Sequence, residues 1–264
     1  MHGLARAYEA AGDISNAEEY FKQTVAAQPS WYFINSLAVF YYEHQQLDKA
    51  EQTYRQLSGL SPNNSQILQT LGAIQFSRSD YTAALETFRQ AVAISDNAVN
   101  QSNIGTILFY QRAYADAAVH FARATELKPN SYQLWGNLAD SYRWAKQPEK
   151  AMQSYQQAII LVQKQLEKMP LNTPARLRLG LYLAKSGQPQ QALKQLDTSG
   201  ALTKTQMLIN AAQICEIIGQ RQRAVDYLQQ ALQQGYTYQA IVDEPEFAEL
   251  VRQQALPEPV KTAG

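Results

Sequence analysis

Apolar side chains recur along this chain at the spacing of one helix face. Trp135, Leu138, Ala139 and Tyr142 stand at i, i+3, i+4 and i+7, the stripe of a helix that buries one side. A second stripe, Ala151, Tyr155 and Ala158, follows beyond Lys146-Gln147 and Pro148. Proline at the first helical position costs no hydrogen bond, so Pro148 opens this second helix, and Pro189 sits at the same place one repeat later. The same pair of helices then recurs. Ala17, Ala50, Ala84, Ala117, Ala151, Ala192 and Ala224 follow one another at nearly constant intervals, with one longer step between Ala151 and Ala192. Four residues after each comes a large side chain: Phe21, Tyr54, Phe88, Phe121, Tyr155, Leu196 and Leu228. A period of roughly 34 residues predicts an all-α solenoid, in which each helix pair buries its apolar face only against its neighbours. The repeats are placed at 1–30, 31–64, 65–97, 98–131, 132–172, 173–204 and 205–235.

The turn chemistry agrees with this reading. Gly12, Gly187 and Gly219 fall between the two helices of a repeat, where a left-handed residue ends the first helix. Gln45, Ser79, Arg112 and Lys146 hold that place elsewhere, at a small conformational cost. Pro29, Pro62 and Pro129 close second helices. The fifth repeat is seven residues longer than its neighbours, with the surplus near Val162 to Met169. Seven residues make about two helical turns, roughly 10 Å, and their deletion is expected to leave the fold intact. Residues 236–255 read as a capping helix, with Glu246 to Gln254 as its helical part behind Pro245. The Pro-rich stretch 256–264 is expected to be disordered. Met1 falls inside the first repeat, so the chain is expected to be a piece of a longer protein.

Composition narrows the chemistry. The 264 residues carry 23 basic and 23 acidic side chains, a formal net charge of zero. Phosphate binding needs a basic surplus, so nucleic acid is not expected as a partner. No apolar run approaches the roughly 20 residues that a membrane-spanning helix needs, so no membrane insertion is expected. Cys215 is the only cysteine, which rules out an internal disulfide and leaves the compartment open, with cytoplasm favoured and periplasm possible for a piece of a membrane-anchored protein. No phosphate loop, GxSxG, HExxH or cysteine pair occurs, and His2, His44 and His120 sit at non-equivalent repeat positions. The chain is therefore expected to be no enzyme, with no catalytic residue, cofactor or metal. The acidic pairs Glu18-Glu19 and Asp243-Glu244 read as helix starts.

The pattern Trp135, Leu138-Ala139, Tyr142, Ala151, Tyr155 and Ala158, with Leu37-Ala38, Leu71-Gly72 and Ile104-Gly105 in earlier repeats, resembles the tetratricopeptide repeat family over most of the chain. The resemblance implies a right-handed α-α superhelix of about seven repeats and a C-terminal capping helix. It also implies a concave face, lined by first helices, that binds a protein or peptide. Carried over, that face holds Tyr32, Asn35, Tyr42, Gln69, Asn103, Tyr110, Asn137, Asp140, Arg143, Trp144, Arg178 and Lys185, with Asn210, Gln213 and Glu216 further on. Asn103, Asn137 and Asn210 share one repeat position. They resemble an asparagine ladder that grips peptide main chains, or else they bond neighbouring helices. Phe76 and Phe109 are expected in the core. The basic carboxylate clamp of chaperone-binding members is missing, because the equivalent places hold mainly Gln, Ser, Thr and Gly. Asn137-Leu138-Ala139-Asp140 with Tyr142-Arg143-Trp144, and Gly235-Tyr236 with Glu244-Pro245-Glu246-Phe247, resemble the repeat region of bacterial signalling proteins (serine/threonine kinases and winged-helix regulators). The implied function is a non-enzymatic interaction scaffold, the regulatory arm of such a protein. A self-assembling adaptor or homodimer, or the accessory arm of an enzyme, stands as the alternative.

Overall fold

The computed structural model describes residues 1–256. All regular structure among them is helical. The chain forms two compact units, Met1–Pro129 and Asn130 onward.

The N-terminal unit contains α1 (His2–Ala10), α2 (Ile14–Ala27), α3 (Trp31–Glu43), α4 (Leu47–Leu60), α5 (Ser65–Ser77), α6 (Tyr81–Ile94), α7 (Ala98–Tyr110) and α8 (Tyr114–Leu127). Consecutive helices pair as hairpins, and each first helix also packs on the second helix before it. Short polar residues set where helices begin. Ser30, Asn64 and Asn97 accept backbone N–H groups at the starts of α3, α5 and α7, and Asp13 and Asp80 do so for α2 and α6. Each such cap contributes about 1 kcal/mol. The hairpin turns use left-handed backbone throughout: Gly12 at φ 79°, Gln45 at 57°, Ser79 at 61° and Arg112 at 62°. Small residues let helices approach, and aromatic rings fill the space between them. A Cβ on Gly72 would lie 2.8 Å from the Phe88 ring, and Ala17, Ala50, Ala84 and Ala117 have no exposed surface.

The C-terminal unit contains α9 (Tyr132–Trp144), α10 (Pro148–Lys168), α11 (Thr173–Lys185), α12 (Pro189–Asp197), α13 (Thr205–Ile217) and α14 (Arg221–Gln233). Ser131 and Asn172 cap α9 and α11, and Pro148 and Pro189 open α10 and α12. Helix α10 runs 21 residues against 14 for α4, α6 and α8. Its extra length is not surplus: Val162 is fully buried, and Leu161 and Leu166 pack against the core of this unit. A deletion starting at Val162 therefore removes core, contrary to the expectation from repeat length.

The chain end keeps a helix at the place expected, Glu246 to Gln254, though shorter and preceded by another. It is built from α15 (Tyr238–Asp243), one 3-10 turn (Pro245–Phe247) and α16 (Ala248–Arg252). Glu244 is extended at φ −78°, ψ 117°, the backbone favoured before proline, and this separates α15 from the turn that opens at Pro245. Ile241, Phe247 and Leu250 are fully buried, and Leu256, expected in the disordered tail, is 1% exposed. The rest of that expected tail, 257–264, lies outside the described residues.

Candidate functional site

In the N-terminal unit the first-helix positions combine exposed tyrosines with half-buried amides. Tyr32, Tyr42 and Tyr110 are 58%, 36% and 47% exposed. Tyr110 stacks on Tyr81 and meets the edge of Phe76, and Phe109 meets Tyr114 edge-on. Phe76 and Phe109, expected in the core, are only half-buried, and the tyrosine rings beside them shield part of their surface. Asn35, Gln69 and Asn103 are half-buried. Gln69 donates to Ser65 within its own helix. The side-chain amides of Asn35 and Asn103 make no hydrogen bond among the described residues. Asn137, at the equivalent place on α9, is likewise half-buried and unbonded through its amide, whereas Asn210 is buried and accepts from Gln206.

In the C-terminal unit the predicted residues do not face open space. Asp140 and Arg143 on α9 and Lys185 at the end of α11 converge on the chain's own Glu246. Arg143 Nη1 and Lys185 Nζ each lie 3.0 Å from Glu246 Oε1. Lys185 Nζ also donates to Asp140 Oδ1 at 2.8 Å, and the Tyr155 hydroxyl donates to the same oxygen. The Arg143 guanidinium stacks over the half-buried Trp144 ring at 4.9 Å. Gln213 Nε2 on α13 donates to Glu244 Oε2 at 3.0 Å. Arg178 is half-buried and close enough to Glu244 to act on its charge.

The electrostatics follow from that geometry. Burial works against the charge on Lys185, but Asp140 and Glu246 outweigh it and raise its pKa above the ordinary lysine value. Burial likewise opposes ionisation of Glu246, yet Lys185 and Arg143 win and hold its carboxyl below the usual range. Glu244 goes the other way. Burial and then the charge of Glu246 push its pKa up to about 7. The pattern read from the sequence contained every cation of this cluster and Asp140, but not the two glutamates that complete it. Their signal was the Glu244-Pro245-Glu246-Phe247 stretch, in which acidic residues that read as a helix start sit beside a fully buried Phe247.

Among the described residues no helix is long and apolar enough to cross a membrane. Cys215 is fully buried, and burial pushes its thiol up to about 11.

The sequence profile of the tetratricopeptide repeat family matches residues 2–65 and 103–165. The repeats within those residues are tetratricopeptide repeats. A tetratricopeptide repeat protein from Parabacteroides merdae superposes with a TM-score of 0.70 over 96% of both chains, at 14% identity. MamA superposes with a TM-score of 0.57 over 63% of this chain and 92% of its own, at 15% identity. At such identities the likeness shows the fold alone. Among curated proteins, the BBSome complex member bbs-4 of Caenorhabditis elegans is 29% identical over 137 residues, 51% of this chain and 30% of that protein. The DnaJ homolog subfamily C member 7 homolog of Schizosaccharomyces pombe is 22% identical over 234 residues, 75% of this chain and 48% of that protein. The chain thus spans less than half the length of these curated relatives. Tetratricopeptide repeats generally mediate protein–protein interaction.

Proposed function

We propose that this chain is an interaction scaffold whose first helices hold an extended peptide or protein segment, as the regulatory arm of a larger bacterial signalling protein. One observation carries the peptide-binding part. Asn35 on α3 and Asn103 on α7 present half-buried amides with no hydrogen bond among the described residues. An amide with no intramolecular partner offers two donors and an acceptor to a ligand. An extended main chain supplies matching groups of both kinds. The exposed Tyr32 and Tyr42 nearby in sequence are of a type that dominates binding energy at interfaces. The signalling part is supported by the Asn137–Trp144 and Gly235–Phe247 motifs.

The test is a titration. Extended peptides are selected on the whole chain from a displayed library, and the best is titrated against the Asn35→Ala, Asn103→Ala double variant. At least tenfold weaker binding with unchanged helical circular dichroism is expected. Equal affinity would overturn the main-chain grip. The size of the native protein on an immunoblot tests the regulatory-arm part, which requires a band well above the 29.7 kDa of this chain.

A further inference from the structure

The segment Glu244–Phe247 sits in the C-terminal unit in the manner of a bound peptide. It does not continue the repeat pattern, since α15 and α16 are six and five residues long where α9, α11 and α13 are each 13. Its backbone is extended at Glu244 and makes one turn from Pro245. Its polar contacts go to side chains of first helices: Arg143 of α9, Lys185 of α11 and Gln213 of α13. Phe247 anchors it by full burial in the core of the unit.

Charge explains why an acidic segment lies there. Arg143 has Glu246 as its one ion-pair partner among the described residues. Lys185 is 3% exposed and shares Asp140 and Glu246. Two cations this near to each other, one of them almost wholly out of water, need a second carboxylate beside Asp140. Because the carboxylate comes from a side chain in mid-chain, no free C-terminus is required.

Resting on the scaffold reading above, we propose that the α9–α11–α13 face is a binding site for an internal acidic-proline-acidic-aromatic segment of a partner protein. The chain's own Glu244–Phe247 is its resident occupant, which the partner displaces. The resident segment is tethered, so it competes at an effective concentration on the order of millimolar. A partner gains the site only through tighter binding than that competitor, which makes the segment a threshold on partner capture.

The experiment uses the whole chain and a fluorescein-labelled peptide with the sequence of residues 240–252. Glu246→Gln weakens the resident segment and leaves Arg143 and Lys185 in place. The variant is expected to bind the peptide about fivefold more tightly than the unsubstituted chain. A peptide with Gln in place of its own Glu246 should show no gain. A folded Glu246→Gln variant that binds no more tightly overturns the proposal. If that variant loses helical circular dichroism, hydrogen exchange on the unsubstituted chain decides. Faster exchange of the amides of 246–250 on adding millimolar peptide supports displacement, and unchanged exchange overturns it. Concentration-dependent dimers of Glu246→Gln without peptide binding would make a second copy the occupant, and the proposal fails. The scaffold reading is judged separately, on Asn35 and Asn103, so the two can fail independently.

Discussion

Lys185 and Glu246 pair at 3.0 Å with side chains only 3% and 5% exposed, although they stand at the end of α11 and in the turn after α15. This pair ties the chain end to the repeat core. Breaking a buried pair leaves a charge without compensation, at a cost of roughly 3–5 kcal/mol. The two partners are not equivalent. Lys185→Met leaves Asp140 with no ion pair and only the Tyr155 hydroxyl, and Glu246 with Arg143 alone, whereas Glu246→Gln leaves Lys185 paired with Asp140 at 2.8 Å. Urea unfolding should show Lys185→Met losing roughly 3–5 kcal/mol and Glu246→Gln only about 1 kcal/mol. The reverse order would mean that Asp140 does not hold Lys185.

Glu244 makes stability depend on pH near neutrality. Glu246, Lys185, Asp140 and Arg178 act on its charge, and Gln213 bonds its carboxyl. Its pKa is about 7 in the folded protein against 4.5 for the free group. A raised carboxyl pKa means that the folded state holds the proton more tightly, so its stabilisation is complete below about 4.5 and is lost as pH rises through 7. Glu246 has the opposite sign: its depressed pKa contributes stability above 4.5 that is lost as pH falls through its folded value. Stability should therefore drop between pH 5 and 8, by on the order of 2–3 kcal/mol. Glu244→Gln should flatten that slope. Urea midpoints of both proteins at the two pH values check it, and a parallel slope in the variant would exclude Glu244 as the source.

The repeat architecture was legible because it is written in short-range pattern. Ala84 with Phe88, or Pro148 with Ala151, are neighbours on one helix. The near-constant interval from Ala17 to Ala50 to Ala84 to Ala117 carries the stacking. Arg143, Lys185 and Asp140 were likewise picked out by their repeat positions. What covers them was not legible. Glu246 meets Arg143 across 103 residues, and no periodicity links them. The helix start behind Glu244-Pro245 is legible, whereas the short α15 before it is not, because six residues carry too few turns for a periodic stripe. Whether an amide such as Asn103 bonds a neighbour or stays unbonded depends on distances of tenths of an ångström between helices, which no repeat consensus encodes.

Gly136 on α9 should be intolerant of even one methyl group. A Cβ there would overlap the Tyr182 hydroxyl and lie 2.5 Å from its ring. Tyr182 is 2% exposed, and its hydroxyl donates to the Tyr132 carbonyl at 3.4 Å. The ring therefore cannot swing away without losing that bond and its packing. Gly136→Ala is expected to cost roughly 1–3 kcal/mol, read as a lower urea midpoint. Gly3→Ala, with nothing within 4 Å of the added atom, is the control and should be neutral or slightly stabilising. An unchanged midpoint for Gly136→Ala would mean that α9 and α11 can separate freely at this point.

The hairpin turns offer a gain in stability rather than a loss. Lys146 holds φ 58°, a left-handed conformation in which its Cβ is strained, while Gly187 occupies the matching turn of the next hairpin at φ 76°. Both turns close alike. The N–H of Lys146 bonds the Arg143 carbonyl at 3.1 Å, and that of Gly187 bonds the Ala184 carbonyl at 3.1 Å. The hydrogen bonds do not depend on the side chain, so exchange at this position changes mainly backbone strain. Against the relief of that strain, roughly 1–2 kcal/mol, stands the greater freedom glycine has in the unfolded chain, about 0.5–1 kcal/mol. The net for Lys146→Gly should be a gain of up to about 1 kcal/mol. Gly187→Ala meets nothing within 4 Å, so its expected loss of about 1 kcal/mol comes from the backbone alone. Thermal melts of the two variants should move in opposite directions. If Lys146→Gly falls instead, the lysine side chain contributes more at that turn than its strained backbone costs.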